Sequence, residues 1–262
     1  MLSLHALPER YRLILCDLWG CVHDGWNIFP GVVDLLRNWK DEGRTILFLT
    51  NAPRTATAIQ RQLDALRLPT GLHDGIVTAG EAGAAALLGK PVGFCGTPDD
   101  RADLEARGLT FLDDGYSELA MAGIASGETV PDYTDDLARW LAADVLMHCL
   151  NPDRIVIHQG ERMVCAGALA DAYEALGGRV CWYGKPHPSV YDYALDLAGS
   201  PRKEQVLAIG DGLQTDMLGA AKCGIDAVFV QGGIHAGEPF PSDFARRHGL
   251  GDWHPAAVVP TL

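Results

Sequence analysis

The residues with the clearest capacity for chemistry come directly after short apolar runs of the sequence. Four such runs lead into a carboxylate, a hydroxyl with an amide, a lysine, and a pair of carboxylates. In chain order these are Asp17 in C-D-L-W-G-C-V, Thr50 and Asn51 in L-T-N-A, Lys185 in G-K-P, and Asp211 and Asp216 in G-D-G-L-Q-T-D. Ligands of an open parallel sheet bind outside the carboxyl ends of its strands. We therefore expect all four groups to meet at one edge of one sheet.

Together these side chains suit a Mg²⁺-assisted attack on phosphorus. The oxygens of Asp17 and Asp211 can hold a hard octahedral cation that keeps its remaining waters. Lys185 and Thr50 can neutralise and orient phosphoryl oxygens, and Asp17 is placed to act as a carboxylate nucleophile. Each residue alone has an ordinary alternative, as a turn residue, a cap or a surface lysine. All four groups follow apolar runs one after another along the chain, and this common placement favours a catalytic site over four unrelated structural residues.

The elements that must position these residues alternate between strand and helix. Buried-strand patterns cover 13–16, 45–49, 206–209 and 227–230, and the run 180–183 precedes Lys185. Helical spacing follows from Val32 to Trp39, with a stop at Gly43, and again after Asn51 and Pro53. Short apolar strands that alternate with helices predict an α/β fold with a doubly wound parallel sheet.

The sequence between about 72 and 180 has a different pattern of apolar runs from the flanking blocks. It predicts a second α/β unit inserted between the second and third core strands. We assign 1–71 plus 181–262 to the core and 72–180 to the insertion, with a longer helix over 163–176.

Composition narrows the classes of partner. A formal net charge of −13 over 262 residues argues against nucleic acid and anionic membranes, while a local metal still permits a small anionic substrate. Seven cysteines without a C-x-x-C pair indicate buried thiols in a reducing compartment. The sequence shows neither a signal peptide nor a membrane-spanning run. We expect a cytoplasmic protein.

The ordered set resembles the four motifs of the haloacid dehalogenase superfamily, namely a nucleophilic Asp, a Ser or Thr, a Lys and an acidic pair. The forms G-K-P and G-D-G-L-Q-T-D, and the place of the insertion, resemble its class IIA branch. The stretches C-L-N-P-D at 149–153 and C-A-G-A-L-A-D-A-Y-E-A-L-G-G at 165–178 do so too. The resemblance implies a Rossmann-like core, a mobile cap, Mg²⁺ dependence and phosphomonoester hydrolysis through an aspartyl-phosphate.

The resemblance also implies roles for individual residues. Asp17 and Lys185 would be catalytic, and Thr50, Asn51 and Lys185 would bind phosphate. The metal site would comprise Asp17, Asp211, Asp216 and the backbone carbonyl of Trp19.

Trp19 is the clear departure from the family pattern, which has a second Asp two residues after the nucleophile as general acid and base. An indole N–H only donates and cannot act as a base, and losing proton transfer typically lowers a rate by about 10²–10⁴-fold. His23 and Asp24 are the nearby substitutes, with a solvated imidazole and a loop cap as their ordinary alternatives.

Three interpretations stay open from the sequence. The protein is a phosphatase with altered acid/base chemistry, a relative that acts on an activated phosphate, a C–P bond or a C–halogen bond, or a phosphate-ligand binder with little turnover. In this branch the cap selects the substrate, here around 151–170. Caps of the branch often mediate dimers, so a homodimer is one of the oligomeric states left open.

Overall fold

The computed structural model describes residues 3–158, 161–232 and 239–262. Its strands are β1 Leu13–Cys16, β2 Thr45–Thr50, β3 Gly75–Thr78, β4 Pro91–Cys95, β5 Thr110–Leu112, β6 Glu118–Met121, β7 Leu146–Cys149, β8 Ile155–His158, β9 Glu161–Val164, β10 Arg179–Trp182, β11 Val206–Gly210, β12 Asp226–Val230 and β13 Ala257–Val259. Its α-helices are α1 Val32–Asp41, α2 Ala56–Ala65, α3 Ala79–Leu87, α4 Pro98–Ala106, α5 Thr134–Ala142, α6 Ala166–Ala175, α7 Pro188–Leu197, α8 Leu218–Cys223 and α9 Phe244–His248.

Contacts within the described residues divide the chain into two compact units. The first comprises Met1–Thr50, Gln60–Val77 and Lys185–Leu262, and the second comprises Asn51–Ile59 and Thr78–Gly184.

The first unit is built on a six-stranded sheet, among the described residues, with the order β13-β12-β11-β1-β2-β3. All four residues of β1 are buried, as expected for a strand covered on both faces. Strands β1 and β11 pair in parallel, with Cys16 opposite Ile209. From this pair the chain winds outward in both directions, through β2 and β3 on one side and β12 and β13 on the other. The junction of β1 and β11 is therefore the switch point at which doubly wound sheets bind ligands.

Helix α1 illustrates how the sequence forms these layers. Its residues Val32, Leu35, Leu36 and Trp39 are buried on one face, as their spacing predicts. The Trp39 indole N–H donates to the Leu4 carbonyl at 2.8 Å. The helix ends before Gly43, whose φ of +75° suits a residue without Cβ.

The second unit has its own parallel sheet, with the order β10-β7-β6-β4-β5. Strands β8 and β9 form a separate antiparallel pair. A core cluster that includes Met147, Leu169 and Tyr173 packs α6 against this sheet. The predicted α/β fold class, with doubly wound parallel strands and a second α/β unit, is confirmed.

Three sequence predictions about the elements need correction. The strand before Lys185 lies in the sheet of the second unit, as β10, and so the four polar groups do not follow four strands of one sheet. Strand β3 lies within the range predicted for the insertion, 72–180, but it joins the first sheet. The chain therefore leaves that sheet after β3 rather than after β2. The helix predicted over 163–176 begins at Ala166, because residues up to Val164 pair with β8.

Within the described residues, no helix has the length and apolar character that crossing a membrane requires.

Candidate active site

A buried lysine between two carboxylates forms the centre of the site in the first unit. Lys185 Nζ lies 2.7 Å from Asp17 Oδ1 and 2.8 Å from Asp216 Oδ1. Only 2% of Lys185 is exposed, with 8% of Asp17 and 4% of Asp216. The alternative that Lys185 is a surface lysine is therefore wrong. Asp17 reaches this position because its N–H donates to the Ile209 carbonyl at 2.9 Å, which extends the pairing of β1 with β11.

The loop after β11 fixes the Asp216 carboxylate. Asp216 Oδ2 accepts hydrogen bonds from the Gly212 N–H at 3.1 Å and from Thr215 Oγ1 at 3.2 Å. A Cβ atom at Gly210 would overlap the Asp216 side chain. The Tyr191 hydroxyl donates to the Asp216 carbonyl at 3.3 Å. A Cβ atom at Gly212 would overlap Thr215 Oγ1, so both glycines that flank Asp211 allow the loop to fold closely around Asp216.

A second group of donors lies around Asp17. One ligand atom each from Asp17, Asp211 and Cys21 lies within 4.8 Å of the others. The two carboxylates are hard oxygen donors, the type that Mg²⁺ prefers, and the few protein ligands suit an ion that keeps several waters. These residues fit Mg²⁺. The sequence treated Cys21 as an ordinary buried thiol, and only the fold brings it to this group.

Gly20 keeps space beside the metal-ligand candidate Asp211. Its φ is +79°, and a Cβ atom there would overlap Asp211 Oδ2. The predicted metal role of Asp216 remains a prediction, because its Oδ1 atom pairs with Lys185 and its Oδ2 atom accepts from Gly212 and Thr215.

Burial and charge set the protonation behaviour of this cluster. Burial raises the pKa of Asp17 well above its usual range, and the Lys185 ammonium opposes that rise. Burial also works against the charge of Lys185, but Asp17 and Asp216 outweigh it and raise the pKa of Lys185. The lysine therefore keeps its proton. The charge of Asp17 depends on the cations beside it.

Trp19 packs inside the loop that follows β1. Its ring lies edge-on to His23, with 5.5 Å between the ring centroids. A Cβ atom at Gly25, whose φ is +92°, would lie 2.5 Å from the indole Cη2 atom. The indole therefore contributes to the folding of this loop, which gives position 19 a packing role that sequence patterns do not reveal.

The structure assigns local roles to the two candidate substitutes for the missing acid. His23 is buried rather than solvated, and the Gly25 N–H donates to its Nδ1 atom at 3.0 Å. Burial lowers the pKa of His23 to about 4. Asp24 Oδ1 accepts from the backbone N–H groups of Trp26 and Asn27, at 2.8 and 2.7 Å, as a loop cap. Those two hydrogen bonds lower the pKa of Asp24.

The two predicted phosphate-binding residues at the end of β2 fall in different units. Thr50 is half-buried and ends β2, two residues beyond Phe48, which pairs with Cys16. Asn51 is buried in the second unit, where its amide donates to Asp153 Oδ1 at 2.8 Å. Of the range 151–170, expected to choose the substrate, residues 159–160 lie outside the described part of the chain.

Comparison with known proteins agrees with this geometry. The family model described as haloacid dehalogenase-like hydrolase matches residues 14–110, and the one for haloacid dehalogenase hydrolase-like proteins matches residues 182–262. A haloacid dehalogenase-like hydrolase from Brucella suis 1330 has a solved structure with a TM-score of 0.86 and 30% identity, covering 100% of this chain and 99% of that one.

Two curated relatives are similar over most of their length. Chronophin from Rattus norvegicus is 27% identical over 88% of this chain and 80% of its own. The ribonucleotide monophosphatase NagD from Escherichia coli (strain K12) is 25% identical over 84% of this chain and 88% of its own. The chain is a hydrolase that belongs to the haloacid dehalogenase-like family, in its class IIA branch.

Proposed function

We propose that this protein is a Mg²⁺-dependent phosphatase that hydrolyses small phosphorylated metabolites through a covalent phospho-Asp17. The observation that carries the proposal is the buried Lys185 ammonium held between Asp17 and Asp216, beside the Asp17–Asp211 oxygen pair. The name of the NagD relative, a monophosphatase, supports the same reaction class.

In the first step an Asp17 oxygen attacks phosphorus. A bond forms between that oxygen and phosphorus, the ester P–O bond breaks, and the leaving oxygen departs with the electron pair. Lys185 orients the carboxylate and neutralises charge that develops on the phosphoryl oxygens. Thr50 and Asn51 are proposed to donate to those oxygens. Bound Mg²⁺, held by Asp17 and Asp211 with the Trp19 carbonyl and Asp216 nearby, would neutralise phosphoryl charge.

In the second step water hydrolyses the phospho-Asp17. The attacking water forms the new O–P bond, the aspartyl oxygen leaves, and the proton of the water must be accepted. His23 and Asp24 are engaged in the loop, through the Gly25 N–H and through the turn at 24–27. We infer that solvent or substrate oxygens handle protons in both steps, which is the atypical acid/base chemistry associated with Trp19.

This chemistry favours phosphates whose leaving groups are stable anions. An alkoxide needs a proton as it departs, whereas a phenolate or a carboxylate needs less help. We propose that the second unit is the cap that selects among such substrates, with contacts from 151–170.

The proposal is tested by phosphate release from a broad panel of phosphorylated metabolites, measured with and without Mg²⁺. The variant Asp17→Asn keeps the shape of the side chain but loses the nucleophilic carboxylate, and should show no release and no phospho-enzyme after rapid quenching. Asp34→Asn is the matched control, because Asp34 is exposed on α1 and pairs with Arg37. Release by Asp17→Asn at the control rate would refute the nucleophile, and no release by wild type from any substrate would refute the phosphatase.

A further inference from the structure

Cys21 is the third member of the donor group around Asp17. It lies in the loop after β1, where its N–H donates to the Leu18 carbonyl at 3.3 Å. Only 1% of the residue is exposed. Its Sγ atom lies within 4.8 Å of a carboxylate oxygen of Asp17 and of one of Asp211.

The Cys21 sulfur has no hydrogen-bond partner among the residues that the structure describes. Other buried thiols are engaged: Cys16 Sγ donates to the Asp17 carbonyl and Cys149 Sγ to the Asn151 carbonyl, each at 3.3 Å. The Cys21 thiol instead faces two carboxylates at almost complete burial. A buried sulfur atom without a partner, this close to two carboxylate oxygens, can serve as the third donor atom of the group.

A sulfur atom changes which cations such a group favours. Mg²⁺ binds oxygen ligands and gains little from a thiol, whereas Zn²⁺ and other borderline cations bind thiolate, carboxylate and water together. Three atoms within 4.8 Å of one another share a point about 2.8 Å or less from each. Zinc bonds to oxygen and sulfur are roughly 2.0–2.3 Å long. Small side-chain shifts would therefore complete the site.

We propose that Asp17, Asp211 and Cys21 form a binding site for a thiophilic divalent cation of the Zn²⁺ class. On binding, the Cys21 thiol releases its proton to solvent and the sulfur donates an electron pair to the metal. The cation uses the same carboxylates that the proposed function assigns to Mg²⁺, and so it excludes Mg²⁺ and acts as an inhibitor. The binding itself does not depend on phosphatase activity.

Co²⁺ is the probe, because a cobalt–thiolate bond gives a charge-transfer band in the near ultraviolet that oxygen ligands do not give. Titration of the full-length protein, without substrate, should give this band at one Co²⁺ per chain, and Zn²⁺ should abolish it by displacement. Cys21→Ser should lose the band and lower the Zn²⁺ affinity relative to Mg²⁺ by at least about tenfold. Cys223→Ser, a buried thiol in the same unit, is the control and should keep the band.

Each other outcome refutes the site. Co²⁺ binding without the band means ligation by oxygen alone, and a band that survives in Cys21→Ser means that another thiol binds the metal. The failure of this inference differs from failure of the proposed function. If the protein releases phosphate but shows no cobalt–thiolate band, the proposed function stands and the thiophilic site is refuted. If the band appears but no phosphate is released, the thiophilic site stands and the proposed function is refuted.

Discussion

Lys185 Nζ and Asp216 Oδ1 form an ion pair of 2.8 Å in which both side chains are almost completely buried. The same ammonium contacts Asp17. A single lysine therefore compensates two buried carboxylates, and its removal leaves both without that cation.

Lys185→Met should lower the free energy of unfolding by about 3–5 kcal/mol, the usual cost of breaking a buried ion pair. It should also abolish phosphate release. Lys40→Met is the matched control, since Lys40 pairs with Asp74 near the surface and such pairs contribute roughly 1 kcal/mol or less. Chemical denaturation of both variants measures the difference. Equal losses of stability would show that the Lys185 pair contributes no more than a surface pair.

Gly20→Ala should destroy Mg²⁺ binding, because the added methyl group would occupy the place of Asp211 Oδ2. Alanine at a left-handed φ also costs roughly 1–2 kcal/mol of stability. Gly31→Ala separates the two effects. Its φ is +86°, but nothing lies within 4 Å of the new atom, so it should lose similar stability and keep Mg²⁺ affinity. Isothermal titration calorimetry measures the Mg²⁺ affinity of both variants. An unchanged affinity in Gly20→Ala would show that the metal does not bind beside Asp211.

Acidification should destabilise the second unit through His148. Its Nε2 atom lies 2.8 Å from Glu118 Oε2 and its Nδ1 atom lies 3.1 Å from the Tyr183 hydroxyl. Burial lowers the pKa of His148 below its usual 6.5, and Glu118 opposes that shift. The unfolded chain thus binds the proton first, so stability is lost as pH falls below about 6.5.

The measurement is the free energy of unfolding between pH 7.5 and 5, compared between wild type and His148→Gln. The variant should show a shallower decline with falling pH. His5→Gln, which replaces an exposed imidazole, should follow the wild-type curve. Parallel curves for wild type and His148→Gln would contradict the assignment.

Trp19→Asp should raise kcat/KM for an alkyl phosphate more than for an aryl phosphate, because it restores a proton donor that the alkoxide needs. The substitution also removes an indole that packs against His23 and Gly25. Trp19→Asn is the control that loses the same packing without gaining an acid. The ratio of the two substrates, compared between the variants, isolates proton transfer. The leaving-group argument would be refuted if wild type hydrolysed alkyl phosphates at an ordinary enzymatic rate and the alkyl-to-aryl ratio of kcat/KM were equal in both variants.

The sequence predicted the strands of the first sheet best where the apolar run is short and buried throughout. The limits of β1 were predicted correctly, and β11 and β12 differ from their predictions by one residue at one end. The contact of Asp17 with Lys185 was expected from opposite charges at a shared sheet edge, and the contact is present, although Lys185 follows a strand of the second sheet.

Other features depend on tertiary contacts that no local pattern encodes. The sequence pattern of an apolar strand such as β10 is compatible with either sheet. Only its pairing with β7 assigns it to the second unit. Residues 163–164 have a pattern compatible with a helix, yet β8 pairs with them. Cys21 resembles any buried thiol until β1 and β11 bring Asp17 and Asp211 beside it.

The pairing of β1 with β11 also has a consequence during synthesis. These neighbours in the sheet lie far apart in the sequence, with Leu13 opposite Val206, so one edge of β1 stays unpaired until β11 has been synthesised. Such distant pairings close slowly, and an open apolar edge invites association with other chains. Lys185 is translated long after Asp17, and a nascent chain therefore carries the Asp17 carboxylate well before it has the ammonium group that neutralises it.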